Sequence, residues 1–130
     1  RIIKVMSGNK KVIIIDDNED IVAMLKTMLE MKGYHVYIKM NVTDLEDSIS
    51  EILPDLIIMD MLLSSVDGRT VCKKLKSDQR FASIPVLMIS AHPNAKEKCL
   101  DAGADLYLAK PFDMKDFFYT VEKSLHLSID

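Results

Sequence analysis

Val12-Ile13-Ile14-Ile15-Asp16-Asp17 is an unbroken run of four β-branched residues followed at once by two acids. Apolar residues without polar alternation suit a strand covered on both faces. The abrupt change to carboxylates marks where that strand ends. Asn18 then has the chemistry of a helix cap and Asp20 falls in the first turn. Ile21, Met24, Leu25, Met28 and Leu29 follow at helical spacing, and Gly33 stops the helix. The opening unit is therefore one buried strand followed by one amphipathic helix.

Outward from this unit the pattern repeats. Tyr34 to Ile38 reads as a second strand, and Thr43 caps a helix carrying Leu45, Ile49 and Ile52 that ends before Pro54. Leu56 to Met59 and Val86 to Ile89 are further apolar strands. Between them, Gly68 to Ser77 reads as a helix with Val71, Cys72 and Leu75 inward. A helix from about Asn94 to Ala102, closed by Gly103, leads to a short fifth strand, Leu106 to Ala109. Asp113 caps a last helix with Phe117, Val121 and Leu125 at one-turn intervals. Five strand–helix units in succession imply an α/β fold with a parallel sheet and helices on both faces. Periodicity leaves the strand order open.

At 130 residues, with 48% hydrophobic and 28% charged residues, the chain suits one domain with a real core. The expected organisation is an N-terminal extension over 1–10, the domain over 11–127, and a tail over 128–130 with no attached output domain. The net charge of −3 and the lack of a basic stripe argue against nucleic-acid binding. Lys73, Lys74 and Lys76 read as a solvated helix face. No apolar run is long enough to span a bilayer, and residues 1–10 lack a signal-peptide core. Cys72 and Cys99 lack metal-ligand spacing and read as buried free thiols, so the expected compartment is cytoplasmic.

In parallel α/β sheets the functional crevice lies at the carboxyl ends of the strands. There the first strand ends in Asp16-Asp17, the third in Asp60, the fourth in Ser90, and the fifth runs into Lys110-Pro111. Two carboxylates about 5 Å apart repel by roughly 3 kcal/mol at an effective dielectric near 20. Three of them call for a proton or a cation. Too few acids are present for a closed Ca²⁺ cage, whereas Mg²⁺ binds through one or two carboxylates and keeps several waters. Lys110 and Ser90 can pair with phosphoryl oxygens, and a carboxylate can act as nucleophile to give an aspartyl-phosphate. Asp60, on the central strand between Met59 and Met61, is the best candidate. Taken singly, Asp16-Asp17 is a capping turn, Asp60 a loop acid and Lys110-Pro111 an ordinary turn. Their coincidence at strand ends favours the functional reading.

The set resembles the response-regulator receiver family from about Lys11 to Leu127. The matching pieces are Ile15-Asp16-Asp17, Pro54 to Asp60, Asp67-Gly68, Ile89-Ser90-Ala91, Ala102-Gly103-Ala104-Asp105 and Lys110-Pro111-Phe112. The resemblance implies a flavodoxin-like (βα)5 sheet of order 2-1-3-4-5. It implies phosphorylation at Asp60, with Mg²⁺ held by Asp17, Asp60 and the Leu62 carbonyl, and by Asp16 through water. Ser90 and Lys110 would hold the phosphoryl group, Pro111 would follow a cis bond, and Tyr107 would be the switch aromatic. Tyr107 is nearly as readable as a plain edge-strand aromatic. The implied partners are a sensor histidine kinase or phosphotransfer protein and an output protein or domain. Homodimerisation is expected through the face of the fourth helix, fifth strand and fifth helix. No direct nucleic-acid or membrane contact is expected, and no catalysis beyond the chain's own phosphotransfer and dephosphorylation.

The chain also departs from the family. Leu63-Ser64 stands where many members carry Met-Pro, which implies a more flexible loop. Leu62 and His92 occupy positions that tune loss of the phosphoryl group. Leu62 has no polar side chain to orient water, which implies a long-lived phosphorylated state. His35, His92 and His126 read as exposed or structural, and Phe112, Phe117 and Phe118 as core or partner surface. The competing functions are a Mg²⁺-dependent phosphohydrolase with an aspartyl nucleophile, a nucleotide or flavin binder, and a scaffold that is never phosphorylated. The phosphate-binding glycine motifs that a nucleotide binder needs are absent.

Overall fold

The computed structural model describes residues 10–63 and 65–127. The expected tail, most of the expected N-terminal extension, and Ser64 of the loop expected to be flexible lie outside them. Five strands alternate with five helices: β1 (Lys11–Ile15), α1 (Glu19–Met31), β2 (His35–Lys39), α2 (Leu45–Ile52), β3 (Leu56–Asp60), α3 (Gly68–Lys76), β4 (Val86–Ser90), α4 (Ala95–Asp101), β5 (Leu106–Ala109) and α5 (Met114–Leu127). All neighbouring strands are parallel, in the order β2-β1-β3-β4-β5. This is the implied flavodoxin-like arrangement.

The period-two alternation of strand side chains divides the core into two layers. Ile13, Ile15, Ile57, Met59, Val86 and Met88 pack against Leu45, Ile49, Cys72, Leu75, Ala95 and Cys99, which belong to α2, α3 and α4. Val12, Ile14, Leu56, Ile58, Leu87 and Ile89 face the opposite way, onto α1 and α5. Each such side chain contributes about 1.5–3 kcal/mol when fully buried. Both sheet faces are covered, which explains why β1, β3 and β4 are apolar apart from Lys11, Asp60 and Ser90 at their ends. Cys72 and Cys99 are buried free thiols, and burial pushes the Cys72 thiol up to about 11.

Three local expectations need correction. Tyr34 is buried but precedes β2, which begins at exposed His35 and ends at Lys39. Thr43 does not cap α2. Its N–H donates to Asn41 Oδ1 at 2.9 Å, and the cap position falls to Asp44, left-handed at φ 54° with no side-chain cap bond. The Asn41 turn takes up the residue that would otherwise have capped. By contrast, Asn18 does cap α1 by accepting the Ile21 N–H at 3.0 Å, and Asp113 accepts the Asp116 N–H at 2.7 Å. Met24, expected inward, is 43% exposed.

Candidate functional site

Strand register brings the chemistry together. Ile15 pairs with Met59, so Asp16 and Asp60 follow at one level on adjacent strands. Asp60 itself pairs with Ile89, one residue before Ser90, and Ser90 pairs with Ala109, one residue before Lys110. Four strands therefore deliver Asp16, Asp60, Ser90 and Lys110 to one edge. The ladder continues past Asp60, where the Met61 N–H donates to the Ile89 carbonyl at 2.9 Å.

Asp16 and Ser90 are buried, and Asp17 and Asp60 are half-buried. Lys110 Nζ stands 3.4 Å from Asp60 Oδ1, a loose contact for an ion pair. Burial pushes the Asp60 carboxyl above its ordinary 3.8. The Lys110 charge opposes the rise, and Asp16 and Asp17 reinforce it. Asp16 is also raised, chiefly by burial. The Asn18 N–H, which donates to its Oδ1 at 3.0 Å, and Lys110 oppose that shift. Among the described residues Lys110 opposes the rise at both Asp60 and Asp16, so these two close carboxylates share one ammonium and keep an excess of negative charge between them.

That excess, with oxygen donors only, fits a hard divalent cation. Among the described residues no three His, Cys, Asp or Glu side chains stand together as a ready ligand set. Asp16 and Asp60 stand at adjacent strand ends, and two carboxylates are the number through which Mg²⁺ binds while keeping several waters. Leu62 lies opposite Asp67 in an isolated antiparallel bridge and is 56% exposed. The two bonds that close the bridge, Leu63 N–H to the Val66 carbonyl and Gly68 N–H to the Met61 carbonyl, do not use the Leu62 carbonyl.

Ser90 Oγ accepts the His92 N–H at 2.9 Å, and the Tyr107 hydroxyl donates to the Ser90 carbonyl at 3.3 Å. Tyr107 is half-buried and the Lys110–Pro111 bond is cis. His35, His92 and His126 are all exposed.

Sequence reasoning missed how closely α3 approaches β3. A Cβ on Gly68 would collide with the Asp60 carbonyl oxygen and come within 2.9 Å of the Met61 carbonyl oxygen. The signal was the Asp67-Gly68 pair. As a motif the pair does not disclose its steric reason, the need for a residue with no side chain where backbones meet.

The response regulator receiver domain family matches residues 12–122. The chain is 39% identical over 117 residues to the DNA-binding dual master transcriptional regulator RpaA of Synechocystis sp., covering 88% of this chain and 48% of that one. It spans about half the length of the curated relatives it matches. A crystal structure from Chloroflexus aurantiacus, described as that of a response regulator, superposes with a TM-score of 0.85 at 34% identity, covering 90% of this chain and 98% of the other. The receiver domain of the sensor histidine kinase PA1611 of Pseudomonas aeruginosa, solved with a magnesium ion in its active-site cleft, shares the fold with a TM-score of 0.81 at 23% identity, over 91% and 98% of the two chains. Sequence, strand order and relatives agree, and the chain belongs to the response regulator receiver domain family of two-component systems.

Proposed function

We propose that Asp60 accepts a phosphoryl group from a phosphohistidine on a sensor histidine kinase or phosphotransfer protein. The observation that carries this is the placement of Asp60. It is a half-buried carboxylate at the end of the central strand, beside Asp16 and Asp17, with a single ammonium at 3.4 Å. A carboxylate oxygen of Asp60 forms the P–O bond as the donor's P–N bond breaks and the histidine nitrogen leaves.

Lys110 and the Ser90 hydroxyl, on the two neighbouring strand ends, hold phosphoryl oxygens. Asp17, Asp60 and the Leu62 carbonyl would hold Mg²⁺, with Asp16 supporting it through water. Bound there, Mg²⁺ supplies neutralisation of the charge on the transferring group. The apolar side chain of Leu62 offers no group to orient an attacking water, which supports slow loss of the phosphoryl group.

The product replaces the single carboxylate charge of Asp60 with a phosphoryl group of roughly −1.5 to −2, a net gain of roughly −0.5 to −1 beside Lys110. Ser90 is tied to the His92 N–H through its hydroxyl and to Tyr107 through its carbonyl. A turn of Ser90 toward the phosphoryl group therefore acts on both the β4–α4 loop and the α4–β5–α5 face. That face is the proposed surface for an output partner or a second copy of the domain.

The test is incubation with a small-molecule phosphodonor, with and without Mg²⁺, followed by intact mass. The expected result is one added phosphoryl group in the presence of Mg²⁺, lost in Asp60→Ala and kept in Asp44→Ala. Phosphoryl uptake by Asp60→Ala equal to that of the parent would overturn the assignment.

A further inference from the structure

Asp67-Gly68-Arg69 closes on itself as a fork at the start of α3. Asp67 Oδ1 accepts the Arg69 backbone N–H at 2.9 Å and so caps the helix. The Arg69 guanidinium returns to the same carboxylate, Nε to Oδ1 at 3.0 Å and Nη2 to Oδ2 at 2.6 Å. Between them the Gly68 N–H donates to the Met61 carbonyl at 2.6 Å, and Gly68 leaves no room for a side chain against Asp60 and Met61. The first turn of α3 is thus pressed onto the backbone of the acceptor residue. Leu62 stands directly across the bridge from Asp67.

The same Asp-x-Arg chemistry occurs a second time. Asp78 Oδ1 accepts the Arg80 N–H at 2.9 Å, and Arg80 Nη2 reaches Asp78 Oδ2 at 2.7 Å. That fork closes a turn after α3, and its Asp78 carbonyl accepts from Phe81 and Ala82. Of the two forks, the first encloses Gly68, whose N–H bonds the backbone next to Asp60.

We propose that the Asp67–Arg69 fork is a positioning device for the ion site, fixing the first turn of α3 against Asp60 and Met61 and thereby holding the Leu62 carbonyl in place. This rests on the reading of Leu62 as a backbone ligand given above. Neither Asp67 nor Arg69 touches the ion or the phosphoryl group; they act through Gly68 and Leu62. Groups that orient ligands in this way set metal affinity without being ligands.

Position and charge can be separated. Arg69→Lys keeps the charge but replaces a rigid two-point donor with a point donor. The double variant Asp67→Asn/Arg69→Gln removes one charge of each sign, so the long-range field nearly cancels, and Asn remains a good cap. Mg²⁺ binding is measured calorimetrically on the full chain without phosphodonor. Both variants are expected to bind Mg²⁺ about tenfold more weakly than the parent. Phosphoryl uptake at saturating Mg²⁺ is expected to be unchanged, and the remote variant Asp78→Asn/Arg80→Gln to bind as the parent does.

Parent-like affinity in Arg69→Lys and in the double variant overturns the proposal. So does equal weakening in the Asp78 and Arg80 control. Should one variant lose the parent's circular dichroism, the other decides. A parent that shows no Mg²⁺ binding removable by Asp60→Ala defeats the ion-site reading itself, an outcome distinct from the first two.

Discussion

At the end of the sheet where the strands begin, Lys76 Nζ lies 2.7 Å from Asp105 Oδ2 and also donates to the Ala82 and Ile84 carbonyls. Asp105 in turn accepts the Val86 N–H at 2.8 Å, while Asp55 accepts the Lys11 N–H and Lys11 Nζ reaches the Ile52 carbonyl. At the end where the strands finish, Lys110 stands 3.4 Å from Asp60 and is shared with Asp16. The same residue types, lysine and aspartate, are satisfied at one end and left in excess at the other. The first arrangement holds the strands in register. The second leaves repulsion that the proposed cation would relieve, at a cost in stability without it.

The contrast breaks most visibly at Lys76. Lys76→Met keeps the aliphatic stem but leaves Asp105 and two carbonyls without their ammonium. It is expected to cost about 2 kcal/mol, reduced from a fully buried pair because both side chains retain some exposure. Urea denaturation measures it, and phosphoryl uptake at Asp60 is expected to survive. A loss below the error of the urea extrapolation would mean that the strand-start network contributes little.

At the other end the sign reverses. Asp60→Asn removes an acid whose charge is opposed by burial and by Asp16 and Asp17. The Mg²⁺-free protein is expected to gain on the order of 1 kcal/mol at neutral pH, as repulsion among close carboxylates is relieved. The pH dependence follows from the raised folded value. Folded Asp60 holds its proton at a pH where the unfolded chain, near 3.8, has released it. Its contribution to stability is therefore present at low pH and lost as pH rises through the folded value. The advantage of Asp60→Asn should accordingly shrink on acidification, and a pH-independent advantage would contradict the electrostatic account.

The smallest effect sharpens the comparison by separating strain from function. Leu53, 66% exposed, closes α2 at φ 52°, next to the Lys11–Asp55 contacts. Leu53→Gly should raise stability by about 0.5 kcal/mol, since glycine adopts this conformation freely but loses more chain entropy on folding. Thermal melting measures the gain. Phosphorylation should not change, because the strained residue belongs to the end of the sheet remote from Asp60.

Much of this was legible in the chain. The apolar runs at Val12–Ile15, Leu56–Met59 and Val86–Ile89 could be read as strands because burial on both faces removes polar residues altogether. The edge strand β2 was misplaced by one residue because its burial is partial, leaving a weaker pattern. The cap of α2 is not legible locally because the Thr43 N–H is taken by Asn41 Oδ1, a competing turn that leaves the cap position to Asp44. Met24 obeyed the helical period, yet it lines an open groove with Met28, Met31, Phe112 and Met114 rather than the core. The span of an apolar stripe does not specify which of its members a neighbouring helix will cover.

The sequence by itself determined the alternation of strands and helices, the acids, hydroxyl and lysine that terminate the strands, and Asp60 as the candidate acceptor. These follow from local chemistry, in which side-chain period and charge are written residue by residue. Tertiary structure alone decided that Asp16 and Asp60 lie in register, that Lys110 stands 3.4 Å from Asp60 in a loose pair, and that α3 rests on the Asp60 backbone through Gly68. Each of these depends on distances between segments far apart in the chain. Such distances are set by how two core layers pack on one twisted sheet, and no local pattern encodes them.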